Sequence, residues 1–378
     1  MRIVVSGVEG VNKGAELMLY AILREIENLY PNAEIYLPIS QFPCGLNKIK
    51  TSLRLKQNPN KFVRFLGKYH ITGMLNRLGL KSKYLNNLLP IKGVEYYLDA
   101  SGLFFSDQMI KNKRIAQDLK ILLGGYRNQG TKIIYLSQAF GPFNTDHSKR
   151  AVSVVLEFAD MLIARDTTSV HYLGQLGGDM KKIRHFHDFT GTVKGVVPDH
   201  CKHLSGRVCI IPNSQIIWKG IMSRDEYLLY MRKIVESVYN NGHEAFFLNH
   251  AGDRELICEI LKGVPRNIPV ISGLDALEVK GVIGKSYLCV SSRFHGVVSS
   301  FSQCVPCLTT SWNHKYEELL KLYEMEESLM PSDPSQLENM ISHFLLKDAT
   351  ENMRVKLNEK NEMVANDIRN MWETIWKL

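Results

Sequence analysis

The stretch MRIVVSGVEGVNKGAELMLYAILREIENLYPNAEIYL, residues 1–37, decides the fold class. Ile3 to Ser6 is a short β-rich run, and Gly7, Gly10 and Gly14 relax the chain after it. Ala15 to Tyr30 then carries Leu17, Leu19, Ala21, Ile22, Leu23, Ile26 and Leu29 at helical spacing, and Pro31 ends it. Ala33 to Leu37 is the next strand. A strand, a Gly-rich loop, a helix and a second strand form the repeating unit of a parallel sheet. Met1 to Val5 is too short and too lightly apolar for a signal peptide, so the start of the chain is expected to be a buried strand.

The same alternation continues outward. Strand-like runs are expected at Val94–Leu98, Lys132–Leu136 and Val193–Val197, with helices at Arg114–Leu123, Ala151–Ile163 (running into a strand) and Thr167–Leu176. A second series starts with a strand at Arg207–Ile211 and a long helix at Arg224–Asn240, for which Ser223 is the N-cap. It continues through strands at Ala245–Leu248, Tyr287–Ser291 and Val305–Thr309, with a helix opening at Gly296 and another at Lys315–Tyr323. The expectation is α/β, with two Rossmann-like domains. Residues 1–203 form the first and 204–346 the second, while a terminal helix in 347–378 packs back on the first. Ligands of such sheets lie beyond the carboxyl ends of the strands, so a cleft between the halves is the expected site.

Hydrophobic content of 45% and charged content of 22% exclude a disordered chain. No apolar run reaches the roughly 20 residues that span a bilayer. Seven cysteines without a leader argue against a disulfide framework, and the cytoplasm is the expected compartment. The formal charge of +9 is local. Residues 35–94 contain no acid and 11 cations, and without them 36 cations face 38 anions. Within this segment Phe62, Val63, Phe65, Leu66, Met74, Leu75 and Leu78 recur near helical spacing. Two readings stand: an insertion near 44–92 packing its apolar side on the domain, or a basic amphipathic surface for an anionic membrane or a lipid-linked substrate. Nucleic acid is not expected, because stacking aromatics are not interleaved with these cations.

The strongest chemical motif is Ser291-Ser292-Arg293-Phe294-His295-Gly296, after a strand and before a helix. Amides at a helix start hold anions, a guanidinium matches carboxylate or phosphate, and an imidazole exchanges protons near neutral pH. Lys315 lies on the next connection. The plain alternative is an arginine paired with an internal acid and a histidine capping the helix.

Several stretches occur in an order that resembles the polysaccharide pyruvyl transferase family. They are Asn12-Lys13-Gly14-Ala15-Glu16, Ser137-Gln138-Ala139-Phe140-Gly141-Pro142, Ala164-Arg165-Asp166 with Ser169, Pro198-Asp199, Arg293-Phe294-His295-Gly296 and Lys315. Asp99-Ala100-Ser101-Gly102 stands where the family often has three glycines. The resemblance implies a GT-B-like fold and phosphoenolpyruvate as donor. It implies a sugar acceptor of a surface or capsular polysaccharide precursor, free or lipid-linked, and no cofactor. His295, Arg165 and Lys315 are then the catalytic candidates, with His295 either moving a proton or holding the donor. Arg293, Gly296, Asn12, Gly14, Glu16 and Ser292 would bind substrate. Glu16 reads either as a base or as a solvent-facing helix residue, and Arg165 alone as a partner of Asp166.

His185-Phe186-His187 and His200-Cys201-Lys202-His203 fit no standard zinc spacing, and Cys304-Val305-Pro306-Cys307 reads as two thiols rather than a redox pair. Two rivals remain. A GT-B glycosyltransferase using a nucleotide sugar needs an acid for the ribose, for which only Glu317 and Glu318 offer themselves. A non-catalytic glycan-binding protein at a membrane would leave the basic motif residues idle.

Overall fold

The computed structural model describes residues 1–37, 46–57, 90–311 and 313–378. Most of the basic stretch, including Lys61, Arg64 and Lys68, lies outside the described residues, and so does the choice between its two readings. The chain forms two compact units: Met1–Gly10, Ala21–Asp188 and Asn370–Leu378 in the first, and Val11–Tyr20 with Phe189–Arg369 in the second. The helix Lys13–Leu29 therefore contributes its first residues to the second unit, and the terminal helix Lys347–Trp376 contributes its last to the first.

Among the described residues of the first unit, seven strands run in the order β3-β2-β1-β4-β5-β6-β7. They are β1 Arg2–Ser6, β2 Glu34–Leu37, β3 Arg54–Gln57, β4 Tyr96–Asp99, β5 Lys132–Gln138, β6 Met161–Ala164 and β7 Ile183–His185, and every pairing is parallel. Central strands of a parallel sheet are covered on both faces, so they read as continuous apolar runs, as β5 does: all but its first residue are buried. Tyr97, Tyr126, Tyr135, Phe105 and Phe140 pack the core. The edge strands β3 and β7 escape sequence reading because Arg54-Leu55-Lys56-Gln57 and Ile183-Arg184-His185 carry the polar residues that edges favour.

In the second unit five parallel strands run in the order β10-β9-β8-β11-β12. These are β8 Val208–Ile211, β9 Ala245–Leu248, β10 Val270–Ile271, β11 Leu288–Ser291 and β12 Cys307–Leu308. The strand order reverses direction between β8 and β11, which opens a crevice beyond their carboxyl ends. Ser223 caps the helix Arg224–Asn240 in a capping box with Glu226.

One expected strand is absent. Val193–Val197 joins no sheet, because it is fastened to the helix Ala276–Gly284. Val196 N–H donates to Leu277 O at 2.9 Å, and the buried Lys280 ammonium donates to Thr190 O at 2.7 Å. A Cβ on Gly195 would lie 2.3 Å from Gly281 N, so this contact requires glycine. Among the described residues no helix is long and apolar enough to cross a membrane.

Candidate functional site

Beyond β8, β9 and β11 the second unit gathers most of the motif residues. The helix carrying the motif begins earlier than the sequence suggests: it spans Phe294–Phe301, with Arg293 as N-cap. Gly296 is thus inside the first turn rather than at its opening. The reason is local. Ser291 Oγ accepts from Arg293 N at 3.1 Å, which turns the chain straight off β11. Gly296 lets the helix settle on that strand, since a Cβ there would lie 2.3 Å from Ser291 Oγ. Ser292 is buried, and its carbonyl accepts from Asn213 Nδ2 at 2.7 Å and from Tyr316 OH at 2.9 Å. These two bonds tie the turn after β11 to the turn after β8 and to the helix His314–Tyr323.

Arg293 pairs with Asp253, an acid only 1% exposed. The second carboxylate oxygen of Asp253 accepts from Ser214 N at 3.1 Å, and Asn249 Oδ1 receives the Asp253 N–H at 2.9 Å. The guanidinium is therefore oriented by a carboxylate that is itself fixed. Its Nε is buried without a hydrogen-bond partner among the described residues. A buried donor in that state costs free energy that an anionic ligand would recover.

The segment Val11–Tyr20 belongs to this same unit. Asn12 Oδ1 accepts from Gly14 N at 3.0 Å and so shapes the start of the first helix. The ring of His295 lies against Gly14 so closely that a Cβ there would be 2.1 Å from His295 Nδ1. Lys13 bonds Glu16 at 2.6 Å, and Glu16 also accepts from the Ala276 amide at the start of another helix. The Glu16 side chain is only 12% exposed, which removes its solvent-facing reading. Burial raises its pKa, the Lys13 ammonium opposes that shift, and Asp275 adds to it.

His250, after β9, is a site residue that the sequence did not signal. It is buried, and its pKa lies well below the ordinary 6.5. Burial is the main cause, reinforced by the positive charges of Arg293, His295 and Lys13. Its Nδ1 has no partner among the described residues. Lys315 is buried too, with its ammonium 5.1 Å from the centre of the Phe294 ring and 5.6 Å from that of Tyr316. Arg293, His295 and Lys13 thus lie around a histidine held neutral.

Arg165 belongs to the first unit. Its partner is Asp188, at 3.0 Å with both side chains almost fully buried, and it also donates to Gly102 O at 3.3 Å. Asp166 instead caps the following helix by accepting from Ser169 N at 2.7 Å. Asp99, in the stretch that departs from the family's glycines, is buried and accepts from Ser101 Oγ at 2.6 Å and Gln138 Nε2 at 3.3 Å. Burial raises its pKa against those hydrogen bonds.

Among the described residues no group of three His, Cys, Asp or Glu side chains has an arrangement that would hold a metal ion. Cys304 and Cys307 are both free thiols. Cys307 is buried in β12, and the Cys304 sulfur accepts from Asn361 Nδ2 at 3.4 Å.

Two α/β units with parallel sheets, and a crevice beyond the strands of the second, define a GT-B protein, and solved structures of that class share the architecture. HepE of Anabaena, solved with UDP-glucose, has a TM-score of 0.61 at 13% identity over 100% of each chain. The UDP-GlcNAc 2-epimerase of Neisseria meningitidis, bound to UDP-GlcNAc, gives 0.59 at 12% identity, again over 100% of each. UGT2 of Phytolacca americana gives 0.52 at 10% identity over 98% of this chain and 99% of its own. No curated protein sequence matches the chain significantly. The chain belongs to the polysaccharide pyruvyl transferase family, whose model matches residues 12–314. That span takes in Asn12 to Glu16, Arg165 and Arg293 to Gly296.

Proposed function

We propose that this protein transfers a pyruvyl group from phosphoenolpyruvate to two hydroxyls of a sugar in a polysaccharide precursor, forming a cyclic ketal. The observation that carries this reading is the unspent, buried Nε of Arg293 beside His295 and the neutral His250. A donor with both carboxylate and phosphate needs several fixed cations, and Arg293, Lys13 and Lys315 supply them in one unit. Arg165 is the further anion clamp proposed on the family resemblance.

The chemistry then follows. The donor methylene gains a proton, and positive charge builds at the neighbouring carbon. One sugar hydroxyl adds there, phosphate leaves, and the second hydroxyl closes the ketal. Two protons leave the sugar; one balances the methylene and the other departs with phosphate. His295, against Gly14, is the proposed proton donor to the methylene, and Glu16 the proposed base for a hydroxyl, since burial raises its pKa. Ser292, Asn12, Gly14 and Gly296 hold these groups in place.

The test is incubation with phosphoenolpyruvate and glycosyl-lipid acceptors, following phosphate release and the pyruvyl mass gain on the sugar. Both are expected together. Turnover of a UDP-sugar instead would favour a glycosyltransferase, the reading that the ligands named for the solved neighbours suggest. A lipid-linked acceptor at an anionic membrane rests on the 11 cations of residues 35–94. Charge reversal at Lys61, Arg64 and Lys68 is expected to weaken binding to anionic liposomes, and unchanged binding would remove that role.

A further inference from the structure

Trp218 presents its indole to solvent at 73% exposure, more than any other large apolar side chain among the described residues. A tryptophan is among the largest apolar surfaces a protein can bury, so one left open on a rigid support is a docking surface for something flat. The support is rigid. Trp218 ends the short helix Gln215–Trp218, in which Ile216 is fully buried. Gln215 N donates to Asn213 Oδ1 at 3.1 Å, Trp218 N to Ser214 O at 3.0 Å, and Ile221 N to Ile216 O at 3.0 Å.

The helix is also referenced to the reactive motif. One oxygen of Asp253 accepts from Ser214 N, where the Trp218-bearing turn begins, and the other binds Arg293. A single buried carboxylate therefore sets the position of both. Between them lies a pocket of about 180 Å³ walled by Trp218, Gln215, Arg224, Asp253, Glu255 and Arg293, among others. Whole-ligand pockets run from about 300 Å³ upward, so this volume suits one ring rather than a complete substrate.

We propose that this pocket is a saccharide subsite in which Trp218 stacks on the C–H face of one pyranose ring of the acceptor. The inference rests on the pyruvyl transfer reading for the identity of that sugar as acceptor. The wall chemistry selects the class. A pyranose combines an apolar face with a rim of hydroxyls that both donate and accept. Gln215 offers both roles, Glu255 accepts, and the guanidinium of Arg224, already bonded to Glu259, donates. A complete nucleotide would exceed the volume.

The experiment uses the full chain with methyl glucoside, galactoside and mannoside as probes, and saturation-transfer NMR as the readout. The expected result is transfer to the ring C–H protons of at least one pyranoside, lost in Trp218→Ala and retained in Trp218→Phe. Phosphoenolpyruvate affinity, measured by calorimetry, should be unchanged in both variants. With that pyranoside as acceptor, KM should rise roughly tenfold in Trp218→Ala with little change in kcat. Absence of any pyranoside signal in the native chain, or a signal indifferent to Trp218→Ala, overturns the subsite. A Trp218-dependent signal from UMP without one from pyranosides also overturns it. If pyranosides bind through Trp218 but phosphoenolpyruvate does not bind, the subsite stands and the donor reading falls.

Discussion

Arg165 and Arg293 are built alike in two different units. Each follows a strand of a parallel sheet, and each is fixed by a buried aspartate on another loop, Asp188 and Asp253. Their surroundings differ. The Arg165 side chain is 5% exposed and spends a further donor on the Gly102 carbonyl, whereas that of Arg293 is 15% exposed and lines a pocket. The lesson is that an Arg–Asp pair sealed in the core holds structure, whereas one that opens onto a pocket is also placed to meet an anion.

Substitutions around the two arginines separate their roles. Replacing His295 by Ala should lower turnover by roughly 10²–10⁴-fold with thermal stability little changed, the usual range for a proton-transfer residue. Turnover within a few-fold of the native chain would move the chemistry away from Arg293 and its neighbours. Arg165→Ala takes the guanidinium away from the buried Asp188 and should cost about 3–5 kcal/mol in denaturant unfolding. Arg293→Ala should cost less stability, because its side chain is the more exposed of the two. Equal losses would erase the contrast. If Arg165 also clamps the donor, its variant should lose phosphoenolpyruvate affinity below its unfolding temperature.

Gly14→Ala pushes the His295 ring from its place, and a displacement near 1 Å should lower kcat by about 10² while the fold persists. An active Gly14→Ala variant would show that the ring position is not critical. The smallest effect is one of pH. His250 is neutral in the folded chain, with a pKa well below its ordinary 6.5. Its contribution to stability is therefore present above about 6.5 and lost as pH falls below it, since the unfolded chain takes up the proton there first. His250→Gln should flatten the stability profile on that acidic side, and an unaltered slope would mean that His250 protonates freely in the fold.

Much of this was legible in the chain. The run Ile3–Ser6, the glycines after it and the helical leucines announce a βαβ unit because strand and helix periods are local properties. Arg293 and His295 were legible as an anion motif for the same reason: strand, turn and helix start are contiguous. The Val193–Val197 run misled because Gly195 and the Val196 backbone lie against Gly281 rather than in a sheet. Glu16 misled because it is buried and bonded to the Ala276 amide beside Asp275, far away in sequence.

By itself the sequence determined the α/β alternation, the ordered family motifs and the Arg293 turn, all of which depend on neighbours a few residues apart. Only the tertiary structure decided which acids hold the arginines. Asp253 lies 40 positions from Arg293, and Asp188 lies 23 from Arg165. The structure alone also put His295 against Gly14, kept His250 neutral and left Trp218 open above Asp253. Those outcomes follow from desolvation and from which loops the strand order gathers at one end of a sheet, and neither is written in any local stretch of the chain.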